Sequence, residues 1–135
     1  MRVLVLHFLE KNNKKHAEIL KNLEQSARAK GHDVTLCNEK DAINLHMAMF
    51  EYIAVVTVAP SVISAKLPEK LSEILSAHGS LSGKKGCALV VKYGLFSNKM
   101  CRITMKAMEK EGMVIDYFEI IENPAHAAYV GKKLG

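Results

Sequence analysis

Three lysines fall within five residues, Lys11, Lys14 and Lys15, interleaved with Asn12 and Asn13, where an apolar run gives way to a helical pattern. Basic side chains beside the unpaired N–H groups of a helix start can hold a small anion. Two later segments offer complementary chemistry. One runs from Pro60 and Ser61 to Lys66, and the other carries Gly94 between the aromatic residues Tyr93 and Phe96. These residues predict an anion between positions 9 and 16.

Other chemistries fail on the same segments. A phosphoacceptor aspartate site needs paired carboxylates after the first strand and an aspartate after the third, whereas only Glu10 is present and the third strand ends Val58, Ala59, Pro60. A dinucleotide fingerprint needs G-x-G-x-x-G after the first strand, and that loop has no glycine. The stretch Gly79 to Lys85 has one residue too few between its glycines for a phosphate loop, and it precedes a strand instead of following one. Ser80 and Ser82 miss the nucleophile-elbow spacing. No catalytic constellation is singled out.

Cys37, Cys87 and Cys101 make an odd number with no C-x-x-C pair, which predicts a reducing compartment, no disulfide framework and no metal site. Cys87 reads as a small core residue, and Cys101, near a helix start, would be reactive if exposed. His7 within an apolar strand has two readings, a hydrogen-bonded structural ring or a crevice-lining one. The lysine cluster likewise reads as an anion site or a solvated helix start, and Tyr93 and Phe96 as ligand cover or rim residues.

The elements that must position these groups follow from periodicity. At 135 residues with 49% hydrophobic and 24% charged residues, one domain spanning 1–135 with an ordinary core is expected. Near-continuous apolar runs at Arg2 to Phe8, Asp33 to Cys37, Tyr52 to Ala59, Gly86 to Tyr93 and Val114 to Ile121 predict strands covered on both faces. Helical spacing predicts helices over Lys14 to Lys30, Ala42 to Phe50, Pro68 to His78 with a stop at Gly79, Ser97 to Glu111, and Ala125 to Lys133 behind an Asn123 cap. Strands alternating with helices in so short a chain predict a three-layer, doubly wound α/β fold with a five-stranded parallel sheet of order 2-1-3-4-5. In that order the three candidate loops meet outside the carboxyl ends of the strands. The net charge of +5 favours acidic partners or anionic ligands without demanding nucleic acid. The apolar start is too short for a secretory signal and no run suits a membrane span, so a cytoplasmic location is expected.

Leu81 to Gly94 (LSGKKGCALVVKYG) resembles the turn into the fourth strand of the flavodoxin family, and Lys15 to Leu20 (KHAEIL) is similar to that family's first helix. The resemblance implies a flavodoxin-like fold and flavin mononucleotide, FMN, as cofactor for electron transfer. It places the phosphate at Lys11, Asn12, Asn13 and Lys14, with Pro60, Ser61, Tyr93, Gly94 and Phe96 around the ring. The phosphate loop departs from the family's S/T-x-T-G-N-T pattern, and of its residues only Asn13 matches. Three functions follow as expectations: a flavin-binding redox protein with acidic partners, a flavodoxin-like interaction module without flavin, or an enzyme for another small anionic ligand.

Overall fold

The computed structural model describes residues 1–10, 12–77 and 81–135. Strands β1 (Arg2–His7), β2 (Asp33–Asn38), β3 (Tyr52–Val58), β4 (Lys85–Val91) and β5 (Val114–Ile121) alternate with helices α1 (Lys14–Ala29), α2 (Leu71–Ala77), α3 (Ser97–Lys110) and α4 (Pro124–Gly131). The strands form one parallel sheet in the order β2-β1-β3-β4-β5, as the alternation predicts.

Alternate residues of each inner strand face opposite layers. On one side Val3, Val5, Ala54, Val56 and Leu89 meet Ile19, Leu23 and Ala27 of α1 and Ala127 and Val130 of α4. On the other, Leu4, Leu6, Ile53, Val55 and Ala88 meet Leu71, Ile74 and Leu75 of α2 and Met108 of α3. Strand residues on both sides are fully buried. Close approach of α4 to α1 depends on Gly131, where a Cβ would lie 2.7 Å from the Leu23 carbonyl oxygen. A buried relay ties α3 to β3: Thr57 Oγ1 lies 3.1 Å from Thr104 Oγ1, and the Thr104 hydroxyl donates to the Met100 carbonyl at 2.8 Å.

Two segments depart from the sequence expectations, and one strand carries an irregularity that periodicity does not predict. Residues 42–50 form two 3₁₀ turns, Ala42–Asn44 and Met47–Met49, instead of one helix. The Lys84 ammonium donates to the carbonyls of Met47, Ala48 and Phe50, at 3.4, 3.0 and 2.5 Å. Those carbonyls converge on one cation, which a continuous helical ladder would not allow. The α2 helix starts at Leu71, after Pro68, Glu69 and Lys70; the expected stop at His78 and Gly79, and Ser80 beyond it, lie outside the described residues. Finally, β5 carries a bulge opposite Gly86 and Cys87, whose partners are Ile115 and Tyr117. The skipped residue, Asp116, accepts a 2.6 Å hydrogen bond from the hydroxyl of buried Tyr52.

Replacing Lys84 by Met, which keeps the stem and removes the donor, should cost about 1.5–3 kcal/mol, the range for hydrogen bonds to a charged group. Urea denaturation should show a lower midpoint with an unchanged slope; an unaltered midpoint would mean that the three carbonyls do not depend on the ammonium.

Candidate functional site

The carboxyl ends of β1, β3 and β4 open onto a crevice of about 640 Å³, within the size range of small-molecule sites. Its apolar walls come from Phe8, Val58, Ala59, Pro60, Leu67 and Pro68, and Tyr93 stands over it from the segment after β4. Its polar lining consists of Glu10, Asn13, His16, Lys66 and Glu69. The position follows from the strand order: β1 and β3 are neighbours whose following segments run to opposite layers, so the loops diverge.

Between β1 and α1, hydrogen bonds tie Glu10, Asn13 and His16 to one another. Asn13 caps α1, its side-chain oxygen accepting from the His16 N–H at 3.1 Å, and its carbonyl accepts from the Ala17 N–H at 3.0 Å. The Asn13 N–H donates to the Glu10 carbonyl at 3.3 Å, and the Glu10 N–H to His16 Nδ1 at 3.4 Å. His16 is the third helical residue and reaches back past the cap, much as the acidic member of a capping box does. The same device starts α4, where Asn123 accepts from the His126 N–H at 2.8 Å and His126 Nδ1 accepts from the Glu122 N–H at 3.1 Å. As an acceptor, His16 Nδ1 requires the neutral ring with its proton on Nε2. Burial pushes the His16 pKa down, against the raising influence of Glu10 and with a small lowering one from Lys15.

The other two loops are joined to each other. Leu95 N–H donates to the Val62 carbonyl at 2.9 Å. Gly94, at φ +73°, lies so close that a Cβ there would collide with Val62 backbone. Ser61 and Ser64 pair as an isolated antiparallel bridge, with their hydroxyls 2.7 Å apart. Tyr93 N–H donates to Ser97 Oγ at 3.3 Å, which seats the aromatic segment on the start of α3. Around this junction Val62, Ile63, Leu95 and Phe96 are all exposed, Ile63 and Leu95 to 74% and 76%.

Of the residues singled out by sequence, Asn13, Pro60 and Tyr93 line the crevice together. Asn12 is exposed, and Lys14 and Lys15 are exposed on the first turn of α1, none of them among the lining residues; Lys11 lies outside the described residues. Ser61 is committed to Ser64, and Gly94 borders a separate cavity with Lys92, Leu95 and Glu119. Phe96 precedes α3 outside the crevice lining. Sequence reasoning put Glu10, His16 and Lys66 within its candidate loops without giving them a binding role, and it passed over Glu69. The Asn-x-x-His spacing at 13–16, repeated at 123–126, is the signal that marks His16.

Cys101 is buried and its thiol pKa is raised, chiefly by burial, so the condition for reactivity is not met. Cys87 is a core residue with a pKa pushed up to about 12 by burial. His7 lines a second cavity between β1, β2 and α1, and its Nδ1 is buried without a hydrogen-bond partner among the described residues. No described helix is long and apolar enough to cross a membrane, and the described residues hold no grouping of three or more metal-ligating side chains.

No protein-family model matches the chain, and no curated protein sequence matches it. Solved structures do. A flavodoxin from the domain Archaea aligns over 98% of this chain and 95% of its own, with a TM-score of 0.75 and 18% identity. The two-electron reduced flavodoxin of Megasphaera elsdenii aligns over 97% and 98%, with a TM-score of 0.73 and 15% identity. Oxidised flavodoxin 1 of Bacillus cereus aligns over 97% and 95%, with a TM-score of 0.70 and 13% identity. The likeness establishes the fold, a flavodoxin-like three-layer sandwich.

Both His7 and His16 have pKa values lowered by burial, so the unfolded chain binds more protons than the native one as pH falls through about 6.5. Stability should therefore be full above that pH and decline below it. Urea titrations at pH 7.5 and 5.5 should show a lower midpoint in acid, and His16→Gln, which retains an acceptor that cannot titrate, should shrink the difference. A pH-independent midpoint would contradict both assignments.

Proposed function

We propose that this chain is a flavin-binding redox protein that holds the flavin ring in the crevice beside Tyr93. The observation that carries this reading is the crevice itself: an apolar, aromatic-edged cavity at the switch point of a flavodoxin-like fold. FMN is the cofactor that the family resemblance implies. Its ring suits the residues present, since Phe8, Pro60, Leu67 and Pro68 supply flat apolar walls and Tyr93 an aromatic face. A bound flavin supplies one- or two-electron chemistry that the side chains do not. This chain's contribution is to position the ring and exclude water, with Tyr93 fixed through its backbone bond to Ser97. The net charge of +5 suits acidic redox partners.

A second reading, an interaction module without flavin, is favoured by the joined loops. The Leu95 to Val62 hydrogen bond brings the two loops into direct contact, and they expose four large apolar residues to solvent, Val62, Ile63, Leu95 and Phe96.

Titration of the ligand-free protein with FMN, followed by quenching of flavin fluorescence, separates the two. Saturable binding is expected for the wild type. Tyr93→Ala should weaken it about three- to tenfold, the equivalent of an aromatic contact worth about 0.5–1.5 kcal/mol. Phe96→Ala, outside the crevice lining, should stay within about twofold on the same affinity scale. Absence of saturable binding would leave the interaction-module reading, and binding indifferent to Tyr93 would move the ring elsewhere.

A further inference from the structure

The second cavity, between α1 and the carboxyl ends of β1 and β2, has a volume of about 640 Å³, again within the range of small-molecule sites. One wall is sheet: His7 shares the face of Val5 by alternation, and Leu36 and Asn38, which pair in register with Val5 and His7, share it too. The other is helix, where Ala17, Leu20, Lys21 and Glu24 recur at the spacing of one face of α1. The cavity adjoins the crevice at Phe8, Glu10 and Pro68, which line both.

Polar groups in this wall are left unmatched by the protein. Asn38 Oδ1 accepts from the N–H groups of Lys40 and Asp41, both at 3.0 Å, which fixes the amide and leaves its own N–H donors without a partner among the described residues. Glu39, the first residue after β2, is half-buried, and its carboxylate has neither a hydrogen bond nor an ion pair among the described residues. Glu24, by contrast, is held by two hydrogen bonds from Arg28. Burial lowers the His7 pKa, so that at neutral pH the imidazole is an uncharged flat wall.

These groups define the ligand. A purely apolar molecule would strand the Asn38 amide and the Glu39 carboxylate away from water. An anion would meet the carboxylates of Glu10, Glu24 and Glu39 against the ammonium groups of Lys21 and Lys40. An uncharged molecule with a flat body, ring nitrogens that accept and a pair of hydroxyls that donate satisfies every group: the ring between Leu20 and Leu36, its nitrogens on Asn38, the hydroxyls on Glu39. In doubly wound nucleotide folds an acidic residue beyond the glycine-rich turn takes the ribose hydroxyls of an adenosine. Glu39 is suited to that task, and a nucleoside, which carries no phosphate, needs no glycine-rich turn.

We infer that the second cavity binds a purine ribonucleoside, with the base held between α1 and the ends of β1 and β2 and the ribose hydroxyls donating to Glu39. Such a nucleoside has two sources, a free molecule or the adenosine half of flavin adenine dinucleotide, FAD, whose ring would lie in the adjoining crevice. The site itself does not rest on the flavin reading.

Calorimetric titration of the wild-type protein with adenosine tests it. Saturable binding is expected, and dideoxyadenosine, which lacks both ribose hydroxyls, should bind about fivefold or more weakly, as should adenosine to Glu39→Gln. Ala17→Phe, at an exposed helical position where an unchanged urea midpoint reports folding, should fill the cavity and abolish binding. No saturation by adenosine overturns the inference. Binding indifferent to Ala17→Phe overturns the location, and binding indifferent to both the missing hydroxyls and Glu39→Gln overturns the recognition argument. Titrations with FAD and FMN separate the sources: FAD tighter by about tenfold or more, with the excess lost in Ala17→Phe, supports the dinucleotide. Equal affinities beside saturable adenosine support a free nucleoside. Saturation by adenosine with none by FMN removes the flavin reading and leaves this site standing.

Discussion

From Tyr52 to Thr57, every residue of β3 is buried, and the strand is hydrogen-bonded to β1 on one side and β4 on the other. A strand in that position must have a helix layer over each face, because neither face can meet water and neither edge is free. Parallel pairing then requires each return to cross over one of those layers, with right-handed connections. The α1 and α4 layer and the α2 and α3 layer are the two covers, and the reversal of strand order at β1 and β3 is the geometric residue of having to build both. The crevice is thus a consequence of burying β3. Any sequence that satisfied the same burial would open a cleft there, whatever its loops were equipped to hold.

What the loops hold is decided at a finer scale, by which polar groups they leave unpaired. Each of the three segments at the crevice directs backbone donors inward: Asn13 and His16 close the first, Ser61 and Ser64 the second, and Ser97 with Val62 the third. Such self-satisfaction stabilises an exposed loop, since an N–H bonded within the protein needs no water or ligand. Among the described residues the lining of the crevice is largely apolar and aromatic, with a mixed rim of Glu10, Asn13, His16, Lys66 and Glu69.

The fold was legible in the sequence because doubly covered parallel strands need continuous apolar runs, and Val3 to Leu6, Ile53 to Val56 and Cys87 to Val91 are such runs. Residues 42–50 misled because their apolar spacing is set by burial of Ala42, Met47 and Phe50, while their backbone follows Lys84, more than thirty positions away in sequence, a tertiary effect that local periodicity does not contain. At the crevice, topology made Asn13, Pro60 and Tyr93 readable. The lysines drew attention by type, yet a side chain on the first turn of a helix points according to its angular position around the axis, and Lys14 and Lys15 turn to solvent where His16 turns inward. Lys66 and Glu69 come from the irregular stretch between β3 and α2, whose path no periodicity records.

The bulge at Asp116 bears on how copies of this protein behave toward one another. β5 is an edge strand, and Val114 and Phe118 on it are exposed, a combination that invites another chain to add itself as a sixth strand. An added strand needs an uninterrupted ladder with a regular repeat. At Asp116, which accepts from the Tyr52 hydroxyl, a bulge interrupts the ladder in the first half of the strand and breaks its regular spacing. The hydrogen bond that satisfies a buried phenol therefore coincides with the point where one margin of the sheet stops offering a regular template, a device by which an edge strand resists edge-to-edge pairing.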